Sequence, residues 1–396
     1  MRNIIITGGE LFNKGAQAMT YLTVSALKKQ FPNHNIYLLS ELDFARSKQE
    51  RHQYAFRFMG WYPPKFAKAQ NNPILRLLCQ IKNRNEFREA NSIYKNTDFM
   101  VDISGYGLGA VWSVEVCNNY LNHIEFAKSY NIPMYLLPQS FGPFDFKGDE
   151  GAELFSRCKE LLPYAKVIFA REQEGYDALV SNFGLTNVQL AKDLVLCGGE
   201  PDLSAIFTDP RLPDLPVLKK NAVGIIPNQR NTVISGDASF LQKTYISLIE
   251  HLLTQGKEIY LLCHSTHDIE LCRNLKDAFA NNPSVVYLDH EFSCLEFNEL
   301  VKGFDYLVAS RFHSIVHAYK NGIPCIALGW ADKYRQLLDI FDQSHYLFDV
   351  RNTIDLAVLT DAVDTLNQSR DKESLIIREK LPALRAQDVF RSLSFT

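Results

Sequence analysis

Short apolar runs recur along the chain at residues 3–7, 36–40, 99–103, 134–138, 167–170, 222–227, 258–263, 284–287, 306–310 and 324–329. They are nearly continuous in aliphatic and aromatic residues rather than alternating, the pattern of strands buried on both faces. Between them lie segments with helical periodicity, at 16–30, 120–130, 174–182, 240–255, 268–280 and 314–321. This alternation predicts parallel sheets covered by helices on both sides.

The alternation falls into two blocks, residues 1–200 and 215–371. Between them Gly198-Gly199-Glu200-Pro201-Asp202 and the stretch from Asp209-Pro210 to Leu215-Pro216 have little periodicity and read as a linker. The predicted fold class is α/β, with two Rossmann-like, doubly wound domains facing a cleft and ligands at the carboxyl ends of the strands. A last helical segment, within about 372–396, can pack back on the first domain.

Residues 44–88 depart from this pattern, combining Arg46, Lys48, Arg51, Arg57, Lys65, Lys68, Arg76, Lys82, Arg84 and Arg88 with aromatics such as Trp61. Two readings fit: a solvated helical insertion, or a basic, aromatic surface for an anionic acceptor such as a lipid diphosphate at a membrane.

Composition narrows the class. A chain of 396 residues exceeds what one core supports. The formal net charge of −3 argues against a globally basic nucleic-acid binder. The opening Met1-Arg2-Asn3-Ile4-Ile5-Ile6 has too short an apolar run for a secretory signal, and no stretch reaches the roughly 20 apolar residues of a membrane span. The expected location is the cytoplasm, with peripheral contact on the inner face of the membrane left open. Eight cysteines form no CxxC pair and sit mostly in apolar runs, which suits reduced, buried thiols. His251, His264 and His267 offer no helical ligand pair, so no metal is expected.

Candidate chemistry collects where strands end. Asn13 and Gln17 follow the glycine turn Gly8-Gly9, which lacks the spacing of a dinucleotide or P-loop fingerprint. Tyr106 lies among alternating glycines after Asp102, and Gln139 and Ser140 could bond sugar hydroxyls. Arg171 directly follows an apolar strand, where its fork can take a carboxylate or phosphate, or pair with Glu172 or Glu174. Ser310-Arg311-Phe312-His313 opens a helix whose N-terminus favours an anion, and Lys333 ends the next strand. His264 reads as a substrate-facing or hydrogen-bonded loop residue.

In this order, Asn13-Lys14-Gly15-Ala16-Gln17-Ala18, Gln139-Ser140-Phe141-Gly142-Pro143, Ala170-Arg171-Glu172, Lys192-Asp193-Leu194, Ser310-Arg311-Phe312-His313, Gly322-Ile323-Pro324 and Lys333 resemble the polysaccharide pyruvyl transferase family. Two departures stand out: Glu172 where the family often has Asp, and Tyr106 interrupting what is often a run of glycines. The resemblance implies a fold like that of the GT-B glycosyltransferases. It implies a donor substrate, phosphoenolpyruvate, and no cofactor. The pyruvyl group would form a ketal, commonly across O4 and O6 of a hexose, with phosphate released. The acceptor would belong to a surface polysaccharide, such as an exopolysaccharide or capsule, or to its lipid-diphosphate-linked precursor.

On this resemblance Arg171, Arg311, His313, Lys333 and Ser310 bind phosphoenolpyruvate, and His313, Arg311 and Arg171 carry catalysis, with His313 as acid. Asn13, Gln17, Tyr106, Gln139, Ser140 and His264 face the acceptor. The same cleft and cations would also suit a GT-B glycosyltransferase using a nucleotide sugar, and a catalytically silent sugar-binding homologue is the third reading. The sequence does not set the oligomeric state.

Overall fold

The computed structural model describes residues 2–60 and 84–393. Trp61, Lys65, Lys68, Arg76 and Lys82 of the basic segment lie outside the described residues. Of the remainder, Arg46 pairs with the buried Asp43, and its guanidinium also lies 4.2 Å from the centre of the Phe12 ring.

Two parallel sheets form the two domains. The first contains β1 (Asn3–Thr7), β2 (Asn35–Leu39), β3 (Arg57–Met59), β4 (Thr97–Asp102), β5 (Met134–Gln139), β6 (Val167–Ala170) and β7 (Val188–Leu190), in the order β3-β2-β1-β4-β5-β6-β7. The second contains β8 (Ala222–Ile226), β9 (Glu258–Leu261), β10 (Val285–Tyr287), β11 (Tyr306–Ala309), β12 (Cys325–Gly329) and β13 (Leu347–Asp349), in the order β10-β9-β8-β11-β12-β13. The strand order therefore reverses between β1 and β4 and between β8 and β11, the crevices where open α/β sheets hold ligands.

The ten expected strands all form, within two residues of the expected bounds. The sequence reading misses β3, β7 and β13. Each has three residues, and β3 and β13 close one edge of their sheets while β7 closes another. Their three residues are partly exposed, Arg57 in β3, Gln189 and Leu190 in β7 and all of β13 among them, so they leave no continuous apolar run to find, unlike the edge strand β10. The last helix also differs from expectation. It spans Leu356–Arg385, starting well before 372, and packs first on the second domain, where Ser374 Oγ donates to Gly322 O at 2.6 Å. The helix also reaches helix Leu194–Cys197 of the first domain, and the chain beyond it continues there, with Gln30 Nε2 donating to Leu393 O at 3.3 Å. The linker is likewise tied down, through Ala55 N to Ile206 O at 2.7 Å.

The domains meet along apolar surface. One buried cluster runs from Ile4, Val24 and Leu27 in the first domain to Phe297, Ile315 and Val316 in the second. Gln17 is part of this seam. Its Oε1 accepts from Cys294 N at 2.6 Å while its Nε2 donates to Leu11 O at 3.3 Å. At the first switch point Gly8 has φ +72°, and a Cβ there would fall 2.6 Å from Ser104 N. Glycine is what lets the loops after β1 and β4 lie side by side. Seven of the cysteines are free thiols; Cys79 lies outside the described residues. Among the described residues no helix is long and apolar enough to cross a membrane.

Candidate active site

The second domain presents its residues from a pinned junction. After β11 the chain turns through Ser310, whose Oγ lies 2.5 Å from Tyr245 Oη. The Ser310 carbonyl accepts from Asn228 Nδ2 at 3.1 Å and Tyr334 Oη at 3.0 Å. This fixes the start of helix Phe312–Lys320 and delivers His313, in its first turn, to the domain boundary. There the imidazole packs on Gly15 of helix Lys14–Gln30 in the first domain. A Cβ on Gly15 would sit 2.6 Å from His313 Cγ and closer still to Nδ1. Asn13 caps that helix, its Oδ1 accepting from Gly15 N at 2.9 Å.

His313 Nε2 lies 3.6 Å from Asp193 Oδ2. Asp193 caps helix Leu194–Cys197 through Oδ1, which accepts from Val195 N at 2.9 Å. Its Oδ2 accepts from Arg171 Nη1 at 2.7 Å. Arg171 spends the rest of its fork nearby, donating from Nε to Glu172 at 3.0 Å and from Nη2 to Ser140 Oγ at 2.6 Å. Its face lies 4.8 Å from the centre of the Phe312 ring, so it touches both domains. Burial alone would raise the Asp193 carboxyl, but His313 and Arg171 more than offset it and hold the carboxyl well below its usual range.

Removing one carboxylate from this buried group leaves Arg171 with Glu172 alone and His313 without its acidic partner. Asp193→Asn is expected to destabilise the protein by about 3 kcal/mol at neutral pH. Because the native carboxyl is depressed, this difference is full above about pH 4 and shrinks as pH falls toward the native value. Urea unfolding of both proteins across that range checks the size and the sign.

Lys333 enters from the first turn of helix Asp332–Ile340, after β12. Its ammonium lies 5.1 Å from the Phe312 ring centre and 5.7 Å from that of Tyr106, and it has no ion pair among the described residues. Burial, aided by Arg171, pushes it down to about 8. Arg230, on the short helix after β8, is stacked between Trp112 of the first domain at 5.4 Å and Trp330 at 5.2 Å.

These groups surround one open cavity of about 680 Å³ at the carboxyl ends of β1, β2 and β4. Arg171, His313 and Lys333 line it together with Asn13, Tyr106 and Trp112. It is large enough for a small anion and a sugar ring together.

A family model described as polysaccharide pyruvyl transferase matches residues 13–332, a span that contains all of these groups except Lys333, which directly follows it. The chain belongs to the polysaccharide pyruvyl transferase family. It is therefore a transferase, and its family implies a sugar acceptor. No curated protein matches the chain. Among solved structures, UDP-GlcNAc 2-epimerase from Methanocaldococcus jannaschii aligns with a TM-score of 0.57 at 14% identity, covering 96% of this chain and 99% of that one. HepE from Anabaena, solved with UDP and glucose, aligns at 0.57 and 13% identity over 99% and 100% of the two chains. MnaA from S. aureus, solved with UDP, aligns at 0.57 and 11% identity over 98% and 93%. At these identities the likeness is one of fold: the pyruvyl transferase has a GT-B-like architecture.

The structure separates the residues singled out from sequence. Arg171, His313, Lys333, Asn13 and Tyr106 share the cavity. Arg311 does not line it. Its Nε and Nη2 donate to the two oxygens of Asp268 at 2.9 and 2.5 Å, so one edge of its guanidinium is taken by that carboxylate. Ser310 is fully buried and holds the turn instead of facing a ligand. Gln17 joins the domains, Gln139 donates to the buried Asp102 at 3.3 Å, and Ser140 buttresses Arg171. His264 is buried edge-on to Phe297, and burial, with Lys14 nearby, pushes its imidazole well down, keeping it neutral. Ser310, Gln17, Gln139, Ser140 and His264 carry polar side chains near strand ends, but packing turned them inward. Trp112 and Arg230 went unread; the aromatic after a glycine-rich loop was the available signal for Trp112. Among the described residues no group of His, Cys, Asp and Glu is placed to hold a metal ion.

Proposed function

We propose that this cavity binds phosphoenolpyruvate against Arg171, His313 and Lys333 and transfers its pyruvyl group to two hydroxyls of a sugar, releasing phosphate. The observation that carries the reading is the convergence of these three side chains, from three strand ends and two domains, on one cavity. Phosphoenolpyruvate brings a phosphate and a carboxylate, and needs positive charge from more than one direction. Arg171 is already balanced by Asp193 and Glu172, so it orients the anion, while the unpaired Lys333 supplies net charge. Tyr106 and Trp112, in contact at 5.7 Å, offer aromatic faces for the sugar. His313 is the acid that protonates the methylene carbon as C2 takes up the first hydroxyl. The product is a ketal, with O4 and O6 of a hexose the favoured pair, built on a polysaccharide or its lipid-linked precursor at the cytoplasmic side of the cell.

Incubation with phosphoenolpyruvate and a panel of galactose- and mannose-type acceptors tests this directly. Phosphate release with a matching mass gain on the sugar is expected. Release of a nucleoside diphosphate from a nucleotide sugar, with no turnover of phosphoenolpyruvate, would instead favour glycosyl transfer. Lys333 adds a pH signature. It loses its charge as pH rises through about 8, so kcat/KM for phosphoenolpyruvate should fall on the alkaline side. Lys333→Arg keeps the charge and should push that limb to higher pH; an unmoved limb would assign it to another group.

A further inference from the structure

A second histidine, set beside a buried carboxylate, lines the same cavity from the opposite domain. His123, on helix Val114–Ser129, faces the cavity, and its Nδ1 lies 3.6 Å from Asp102 Oδ2. That Nδ1 is buried and has no hydrogen-bond partner among the described residues. Asp102 ends β4 at the switch point and is fully buried. Three donors fix it: Thr7 Oγ1 at 2.8 Å, Ser104 N at 3.0 Å and Gln139 Nε2 at 3.3 Å. The geometry of the carboxylate is thus set from β1, β4 and β5 at once, and His123 Nδ1 approaches its Oδ2.

Resting on the pyruvyl transfer reading above, we infer that His123 is the general base for the acceptor hydroxyl and that Asp102 is its positioning residue. With Nδ1–H turned to Asp102, the imidazole keeps Nε2 free to accept a proton from the cavity side, and the carboxylate stabilises the imidazolium that results. The balance closes. As the sugar oxygen bonds to C2, its proton passes to His123 Nε2, and the C2–C3 π pair takes a proton from His313. The C2–O bond to phosphate then breaks with its electron pair leaving on phosphate, and the second hydroxyl closes the ketal. The second hydroxyl gives its proton to the now neutral His313 and the His123 imidazolium gives its proton to the released phosphate, so one proton ends on C3, one on phosphate, and both histidines return to their starting states. Two histidines on facing walls divide the work, one serving the donor and one the acceptor. Gln139, read from sequence as a sugar contact, acts on the acceptor side only through Asp102.

His123→Ala and His123→Asn, assayed with phosphoenolpyruvate and p-nitrophenyl β-galactoside or α-mannoside, test the assignment. Both should lower kcat by about 10²-fold or more, leave KM for phosphoenolpyruvate near its wild-type value and keep the thermal shift that phosphoenolpyruvate produces. Added imidazole should restore part of the His123→Ala rate. Wild-type kcat in His123→Asn, which keeps a hydrogen-bonding group but cannot carry the proton, would overturn the base. So would a loss of melting temperature and of the phosphoenolpyruvate shift in both variants, since that marks a structural role. Failure of the wild-type protein to release phosphate with either sugar would count against pyruvyl transfer itself, and the inference would fall with it.

Discussion

Replacing His313 with alanine should lower turnover by about 10²–10⁴-fold while the protein remains folded. The imidazole is the only histidine the second domain presents to the cavity among its described lining, and it stands beside Lys333 and Arg171. Removing it takes away the acid proposed for C3 of phosphoenolpyruvate. It also releases Asp193, but that carboxylate keeps Arg171 at 2.7 Å and its helix-capping bond to Val195, so no buried charge is orphaned. The stability cost should therefore stay near that of a partly exposed side chain, unlike Asp193→Asn. Single-turnover phosphate release beside a melting curve separates the two effects. Near-normal turnover would remove His313 from the mechanism.

The architecture was legible in sequence because its central strands are buried on both faces. Ile4, Ile5 and Ile6 in β1, and Tyr306 through Ala309 in β11, are wholly inaccessible, so burial writes itself as uninterrupted apolar runs. The missed strands β3, β7 and β13 escaped for the converse reason. Site residues were legible only as positions. A polar residue after a strand must lie near a strand's carboxyl end, and every one singled out does. Which way its side chain turns depends on partners distant in sequence. Arg311 and Arg171 looked alike as cations at strand ends, yet Asp268, 43 residues away, claims Nε and Nη2 of Arg311. Arg171 was expected to meet either a ligand or a local acid. It pairs with Glu172 and also with Asp193, and still lines the cavity, because Phe312 and Lys333 close over its other side. His123 carried no sequence signal of its own: it sits inside a helical stretch whose periodicity explains it as one more position. Only the fold sets it against Asp102 and on the cavity wall.

Gly15→Ala is expected to cut kcat by about 10²-fold without unfolding the protein. In an ordinary helix interior the change would stabilise by about 0.5–1 kcal/mol, since glycine loses more backbone freedom on folding. Here the new methyl would overlap the His313 ring, with Cγ at 2.6 Å. The ring can move only by turning away from Asp193 and the cavity, because Ser310 and its three partners pin the backbone that carries it. The helix cannot retreat either: Gln17, two residues on, is bonded to Cys294 of the other domain. The variant should thus melt close to wild type, bind phosphoenolpyruvate through Arg171 and Lys333, and turn over slowly. A matched fall in melting temperature and kcat would mean that the domains part instead. Unchanged kcat would show that His313 tolerates displacement and is not held for proton transfer. The comparison reads the glycine of Asn13-Lys14-Gly15-Ala16-Gln17 as the seat of the catalytic imidazole rather than as a turn, a role that belongs to the pair of domains and not to either alone.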